Sequence, residues 1–147
     1  MRRLIFTALA FAAGLGLEAV SPAEAATTEL KADPRGHFIT AVDINGTSIR
    51  VLVDTGATVV ALSYEDAKAA GLSPGNLDYN VPVSTANGIA MAARVKIDKI
   101  SIDGLEVEDI EGMVAQEGAL EGTLLGMSFL SRLDSFKVED GVLYLKN

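Results

Sequence analysis

The segment Val51-Leu52-Val53-Asp54-Thr55-Gly56-Ala57 joins a strongly apolar run directly to an acidic residue. Three consecutive apolar residues are typical of a strand that is buried on both faces. A buried carboxylate without hydrogen-bond partners is costly, so Asp54 needs compensation. The Thr55 hydroxyl and the backbone amide of Gly56, which has no Cβ to obstruct a tight loop, can both donate to it. We therefore expect this loop to hold the Asp54 carboxylate in a fixed orientation.

Asp-Thr-Gly on its own is a common turn composition, and in isolation Asp54 would be interpreted as a residue that caps a loop. The surrounding sequence favours a different interpretation. A second apolar pair followed by glycine, Leu124-Leu125-Gly126, leads into a predicted helix much later in the chain. Together, the two segments favour a functional role for Asp54.

Short strands and tight turns follow one another along most of the chain. Apolar and polar residues alternate from His37 to Ile44, and Asn45-Gly46 has the composition of a type I′ hairpin turn. Asn87-Gly88 predicts a second hairpin turn. Short helices are predicted after the Ser63 capping box, closed by Gly71, and over residues 127–133. Further strands are predicted over 48–53, 59–62, 81–85, 91–102, 105–115, 123–125, 136–139 and 142–145. The pattern predicts an all-β fold, a closed barrel or sandwich with one or two short helices.

The first 25 residues have the layout of a secretory signal peptide. Arg2 and Arg3 precede an uncharged apolar run from Leu4 to Leu17, and the small-residue pattern Ala23-Glu24-Ala25 follows. The run is shorter than the roughly 17–25 residues of a membrane-spanning helix, which favours cleavage over an uncleaved membrane anchor. We expect an exported protein, periplasmic or extracellular, or one tethered to the inner membrane and facing outward.

Behind this leader we expect a linker at residues 26–35 and a single domain at residues 36–147. The formal net charge is −8, which argues against nucleic acid as a partner. The chain has no cysteine and a single histidine, His37, interpreted as an exposed histidine at the start of a strand. A histidine-based nucleophile or a zinc site therefore has too few residues. Chemistry must come from carboxylates, hydroxyls or the backbone.

Four acidic residues lie close together in one predicted strand: Glu106, Glu108, Asp109 and Glu111. Strand geometry divides them between two faces, and none has the spacing of a calcium-binding loop. We interpret them as a solvated acidic edge that discourages aggregation of the sheet, and we expect no metal site.

These features resemble the retropepsin-like (clan AA) aspartic peptidases, particularly the small exported bacterial members with a single Asp-Thr-Gly unit. The resemblance covers residues 36–147 and implies that Asp54 is the catalytic carboxylate, supported by the segment Thr55-Gly56-Ala57. It implies that Leu124-Leu125-Gly126 lies under the active site. It also implies that the hairpin Thr85-Ala86-Asn87-Gly88-Ile89 is a flap over the substrate, with an ordinary hairpin turn as the alternative.

The resemblance implies hydrolysis of peptide bonds in a polypeptide substrate, without a cofactor. The reaction needs two carboxylates about 3 Å apart that share one proton, so that one activates a water and the other polarises the scissile carbonyl. The chain has no second such motif, because Asp103-Gly104 and Asp140-Gly141 are turn dipeptides. A second copy must therefore supply the other Asp54, in a symmetric homodimer. In this family the Thr55 hydroxyl would bond the partner loop, and the Gly56 amide would donate to the carboxylates.

Ile89 and Met91 are candidates for the walls of the substrate subsites. Two other interpretations remain open. The fold could serve as a catalytically inactive, exported domain that binds peptides or proteins, although such a module has no need of a buried carboxylate. A monomer with an unpaired Asp54 would be inactive at any pH.

Overall fold

The computed structural model describes residues 26–147, and the expected signal peptide at residues 1–25 lies outside this range. The strands in this range are β1 (Thr27–Lys31), β2 (Ile39–Ile44), β3 (Thr47–Val53), β4 (Val60–Leu62), β5 (Val81–Thr85), β6 (Gly88–Ile102), β7 (Leu105–Ala115), β8 (Thr123–Leu125), β9 (Ser135–Glu139) and β10 (Val142–Lys146). The helices are α1 (Tyr64–Ala69) and α2 (Met127–Leu130), and a 3₁₀ turn spans Pro74–Asn76. None of the helices in this range has the length and hydropathy of a membrane span.

Six strands form a closed barrel. They follow the order β2-β3-β8-β4-β7-β6, pairing of β2 with β6 closes the ring, and β5 extends the sheet beyond β6. The β3–β8 and β4–β7 pairs are parallel, and the other pairs are antiparallel. Fully buried side chains such as Ile44, Leu62, Ile110, Leu125 and Phe129 form one core. The prediction of an all-β barrel or sandwich with one or two short helices is confirmed, and the fold is the closed barrel with two.

A separate three-stranded sheet joins the two ends of the described chain. Its order is β1-β10-β9, both pairs are antiparallel, and Thr28 lies opposite Leu145. The sequence led us to expect a linker at residues 26–35, but the structure places β1 within that segment. β1 is short and largely polar, and its partner strand lies at the far end of the chain. The local pattern of apolar residues therefore does not identify it as a strand.

Two-residue turns set the register of the main hairpins. Both central residues have positive φ in Asn45-Gly46 (51° and 87°) and in Asp140-Gly141 (50° and 74°). Type I′ turns require this conformation, and their twist matches that of the strands they connect.

The two helices differ in how well the sequence predicts them. α1 begins at the predicted cap, where the Ser63 hydroxyl accepts a hydrogen bond from the Asp66 N–H at 3.2 Å. α2 ends at Leu130 rather than at the predicted Leu133. After Leu130, hydrogen bonds between residues three apart replace the four-residue spacing of an α-helix. The Leu133 N–H, for example, donates to the Leu130 carbonyl at 3.2 Å.

The Asp33 carboxylate holds the tight turn that precedes β2. Its Oδ1 accepts hydrogen bonds from the N–H groups of His37 (2.9 Å) and Arg35 (2.8 Å), and the exposed His37 places Nδ1 3.8 Å from Oδ2. The hydrogen bond from His37 is the main cause that lowers the pKa of Asp33, and it outweighs desolvation, which acts in the opposite direction.

Asp33→Asn is expected to remove the part of the stability that depends on the Asp33 charge. A carboxyl whose folded-state pKa is lowered stabilises the fold fully above its ordinary value of about 3.9, and this stabilisation is lost as the pH falls through the folded-state pKa. The difference in melting temperature between wild type and variant should therefore be largest near neutral pH and shrink below about pH 4. Thermal unfolding of both proteins from neutral pH to below about pH 4 measures this difference. A difference in melting temperature that does not vary with pH would show that the Asp33 charge does not stabilise the turn.

Candidate active site

Asp54 follows β3 directly and lies where the two sequence motifs meet. β3 pairs in parallel with β8, so Val53 lies opposite Leu125. The Asp54 N–H continues this pairing and donates to the Leu125 carbonyl at 3.1 Å. The structure thus brings Asp54 beside the segment Leu124-Leu125-Gly126, where the family resemblance implied that it would lie.

The loop that follows Asp54 orients its half-buried carboxylate. The Gly56 N–H donates to Asp54 Oδ1 at 2.9 Å, and the Ala57 N–H donates to the Asp54 carbonyl at 3.2 Å. A Cβ at position 56 would lie 3.1 Å from Oδ1, so a glycine suits this close approach. Thr55 and Gly56 are exposed, and Ala57 is half-buried. The carboxylate is therefore held from within its own loop, with one face open.

Gly126 lies underneath this loop and is buried. A Cβ at position 126 would lie 2.7 Å from the Ala57 carbonyl oxygen and even closer to the carbonyl oxygen of Val59. The next residue, Met127, donates its N–H to the Ala57 carbonyl at 2.8 Å. This position therefore has no room for a side chain, and the loop packs directly on the backbone at the start of α2.

Ser128 connects this packing to the rest of the barrel. Its hydroxyl accepts a hydrogen bond from the Val60 N–H at 2.9 Å and donates one to the Glu111 carbonyl at 2.6 Å. One hydroxyl thereby joins α2, β4 and β7 behind the Asp54 loop. Sequence analysis missed this residue because its partners lie far from it in the chain.

A second polar cluster anchors β8. The buried Thr123 hydroxyl donates to Asp66 Oδ2 at 2.6 Å and accepts a hydrogen bond from the Ser63 N–H at 3.3 Å. Asp66 itself is fixed, because its N–H is bonded to the Ser63 side chain that caps α1. The strand that carries Leu124 and Leu125 is thus tied to α1 by a side chain that sequence analysis did not single out.

A cavity of about 450 Å³ opens beside Asp54. Among the side chains that line it, Asp54 is the only charged one, and Thr85 and Leu124 contribute from the predicted flap and the second motif. Small side chains make it wide, since six alanines contribute to its walls: Ala57, Ala61, Ala90, Ala92, Ala115 and Ala119. The arrangement can present a carboxylate to an extended, largely apolar ligand.

The predicted flap is the exposed tip of the β5–β6 hairpin, residues 85–89. Its turn residues are Ala86 and Asn87 rather than Asn87 and Gly88, because Thr85 lies opposite Gly88. The Thr85 hydroxyl accepts a hydrogen bond from the Asn87 N–H at 3.2 Å and donates one to the Gly88 carbonyl at 2.7 Å. Gly88 has a φ of 111°. The hairpin lies where the sequence pattern put it, displaced by one residue.

Ile89 and Met91 stay predicted subsite residues, and the larger cavity of the single chain has other walls. Ala90 and Ala92 line the cavity, whereas Ile89 and Met91 do not. Side chains alternate between the two faces of a strand, so the neighbours of Ala90 point away from the cavity. Ile89 instead stands at the tip of the hairpin, where 78% of it is exposed.

A second cavity, of about 370 Å³, lies on the other side of Asp54. Asp54 and Thr55 border it, together with Val53 of β3 and Phe136 and Val138 of β9. We predicted a strand buried on both faces before Asp54, but Val53 is only half-buried. The reason is that it faces this opening.

Within residues 26–147, no three His, Cys, Asp or Glu side chains are grouped so that they could hold a metal ion. All four acidic residues considered in the sequence analysis are exposed on β7: Glu106, Glu108, Asp109 and Glu111.

Comparison with known families matches residues 40–132 to the family described as gag-polyprotein putative aspartyl protease. The matched region contains both motifs and the β5–β6 hairpin. A curated relative, an uncharacterized protein in the cobV 5′ region of a Sinorhizobium species, is 46% identical over 112 residues, which make up 76% of this chain and 48% of the relative. The chain thus spans about half the length of that relative.

Among the solved structures that are similar to this chain are a bacterial and a viral protease. A retropepsin-like aspartic protease from Rickettsia conorii superimposes with a TM-score of 0.76 and 34% identity, covering 84% of this chain and 92% of the other. EIAV protease complexed with the inhibitor HBY-793 superimposes with a TM-score of 0.56 and 24% identity, covering 70% and 93%. At that identity the viral enzyme supports the fold alone.

Proposed function

The chain belongs to the gag-polyprotein aspartyl protease family and has the retropepsin-like fold, and on that premise we propose that it is an aspartic endopeptidase active as a homodimer. The observation that carries the proposal is the Asp54 carboxylate, which the Gly56 N–H orients beside an otherwise uncharged cavity. A binding cleft without catalysis gains little from a carboxylate held in this way, because its desolvation is costly.

In the proposed reaction, the Asp54 carboxylates of two copies flank one water and share one proton. The ionised carboxylate takes a proton from the water while the water oxygen bonds to the scissile carbonyl carbon, and the protonated one donates to the carbonyl oxygen. The nitrogen of the tetrahedral intermediate then takes the proton from the first carboxyl. As the C–N bond breaks, one hydroxyl of the intermediate returns its proton to the second carboxylate, and the pair again holds one proton.

The second carboxylate is proposed to come from a second copy of the chain. No other titratable side chain lines the 450 Å³ cavity within the described residues. Thr55 is exposed and borders the smaller cavity on the far side of Asp54. From this position its hydroxyl is available to the loop of a partner related by a two-fold axis.

A polypeptide substrate is proposed to lie extended in the larger cavity. β5 pairs with β6 along one side, and no other strand of residues 26–147 pairs with its outer edge. Backbone groups on that edge are available to an extended peptide. The alanine-lined walls leave room for large apolar side chains of the substrate, and charged side chains would lose hydration there without a partner.

We also propose that the domain acts outside the cytoplasm. The support is the signal-peptide pattern at residues 1–25, which lies outside the described residues. N-terminal sequencing of the protein recovered from a cell fraction outside the cytoplasm checks this, and an intact, cytoplasmic chain would argue against export.

Peptide-bond cleavage is expected to follow the dimer fraction. Activity per chain on a peptide library, from acid to neutral pH, should rise with protein concentration in parallel with the dimer measured by sedimentation, because a monomer has a single carboxylate. Activity that stays with a pure monomer would rule out the two-carboxylate mechanism. A dimer that cleaves nothing would favour the alternative of an inactive peptide- or protein-binding domain.

A further inference from the structure

Gln116 follows the last residue of β7, where the backbone pairing of β6 with β7 ends. The last pair on this side is Ala92 with Ala115, and the same register places Met91 opposite Gln116. The Gln116 N–H donates to the Met91 carbonyl at 3.0 Å, as one more step of the ladder requires. In return, the Met91 N–H donates at 3.0 Å to Oε1 of the Gln116 side chain. A side-chain carbonyl therefore takes the place of the backbone carbonyl of an antiparallel pair.

The backbone carbonyl of Gln116 closes a turn instead. It accepts a hydrogen bond from the Ala119 N–H at 3.0 Å, which joins the first and last residues of a four-residue turn. Gly118, the third residue of this turn, has a φ of 79°, the positive value that a type II turn needs at that position. Gln116 therefore ends β7 and begins the turn with two different carbonyl groups.

An ordinary strand residue at position 116 would have only its backbone carbonyl for both N–H groups. The Met91 N–H belongs to the neighbouring strand and the Ala119 N–H to the turn, so one oxygen would have to accept from two segments at once. A glutamine supplies a second carbonyl oxygen on its side chain. The ladder and the turn then each have an acceptor of their own, at 3.0 Å in both cases.

The two segments that Gln116 holds form two walls of the cavity of about 450 Å³. Ala90 and Ala92 line it from β6, one on each side of the residue that Gln116 binds, and Ala119 and Leu120 line it from the end of the turn. Gln116 is exposed and is not itself a lining residue of this cavity. Its hydrogen bonds therefore act on the position of the walls rather than on a ligand.

We propose that Gln116 is a positioning residue that fixes the spacing of these two walls, one on β6 and one at residues 119–120. The inference rests on the proposed function, because the ligand held between the walls is then the peptide substrate. Gln116 lies outside the Asp54 loop, which is held by the Gly56 N–H and by the pairing of β3 with β8. Gln116 therefore sets how tightly the substrate is held, while the group that reacts stays in place.

Gln116→Leu tests this role, because it keeps a side chain of similar size and removes the acceptor oxygen. KM for an uncharged peptide should rise roughly fivefold, the effect of one hydrogen bond, and kcat should change by less than about twofold. Exchange of the Met91 amide hydrogen with deuterium, followed by NMR, should become roughly fivefold faster or more, because the bond that protects it is lost.

Two further variants separate this role from a general effect on the fold. Gln116→Glu keeps an acceptor oxygen at the same distance from the backbone, so its KM and its exchange at Met91 should stay close to wild type. Glu117→Leu is the matched control, since it places the same apolar side chain one residue later at another exposed position. It should leave both measurements unchanged.

The proposal would be overturned by Met91 exchange that is equally slow in wild type and Gln116→Leu, or by faster exchange with an unchanged KM. Equal losses in Gln116→Leu and Gln116→Glu would also overturn it, because the acceptor oxygen would then be irrelevant. A wild type that cleaves no peptide would instead count against the peptidase activity. The exchange at Met91 does not depend on cleavage, so it would still decide whether Gln116 holds the β6 wall.

Discussion

Asp54→Asn is expected to lower the rate of peptide cleavage by roughly a thousandfold or more. Asparagine keeps the shape of the side chain and an oxygen that can accept the Gly56 N–H, which now lies 2.9 Å from Oδ1. Its amide can neither take a proton from water nor donate a carboxyl proton to the scissile carbonyl. The measurement is kcat/KM on one peptide identified in the library, alongside urea unfolding and sedimentation of both proteins.

Two comparisons make this result interpretable. Asp98→Asn removes an exposed carboxylate from β6 and should retain the full rate. Asp54→Asn itself should unfold at a similar urea concentration and still dimerise, since the backbone bonds of its loop do not depend on the charge. Equal cleavage by wild type and Asp54→Asn would show that another group carries the chemistry.

Gly126→Ala is expected to destabilise the fold by about 3 kcal/mol or more and to abolish activity. The new methyl group would lie 2.7 Å from the Ala57 carbonyl oxygen and closer still to that of Val59. Both obstacles are backbone atoms of the segment that follows Asp54, so they cannot move without displacing the Asp54 loop. Urea unfolding measures the loss of stability, and peptide cleavage under folding conditions measures the loss of function.

Gly122→Ala is the matched control for this prediction. It makes the same chemical change four residues earlier, where a Cβ would meet no atom within 4 Å and φ is not in the left-handed region. Its stability and activity should stay close to wild type. Equal effects of the two substitutions would mean that the close packing under the Asp54 loop is not what requires Gly126.

The orientation of Asp54 was predictable because the residues that hold its carboxylate follow it directly in the chain. A carboxylate at the end of an apolar strand needs nearby donors, and Asp54 finds one in Gly56, two residues on. The position of Leu124-Leu125-Gly126 was expected from the family resemblance, and Gly126 lies against the Asp54 loop. Alternating strands and turns such as Asn45-Gly46 predicted the barrel in the same local way.

Features that depend on contacts between distant segments could not be predicted. The bond from Thr123 to Asp66 and the bonds of Ser128 link elements that are remote in the chain. β1 is recognisable as a strand only through its pairing with β10. In the β5–β6 hairpin, Asn87-Gly88 is a strong turn signal, yet the turn forms one residue earlier, at Ala86 and Asn87. A shift of one residue is enough to exchange the faces of a strand.

In the proposed mechanism two chains contribute one Asp54 carboxylate each, and mixing wild type with Asp54→Asn measures whether both are needed. At a fixed total concentration well above the dimer dissociation constant, activity should fall with the square of the wild-type fraction, to about one quarter in an equal mixture, because a mixed dimer holds a single carboxylate. An activity of about one half in that mixture would show that each chain works alone, and the mechanism with a shared pair of Asp54 residues would be wrong.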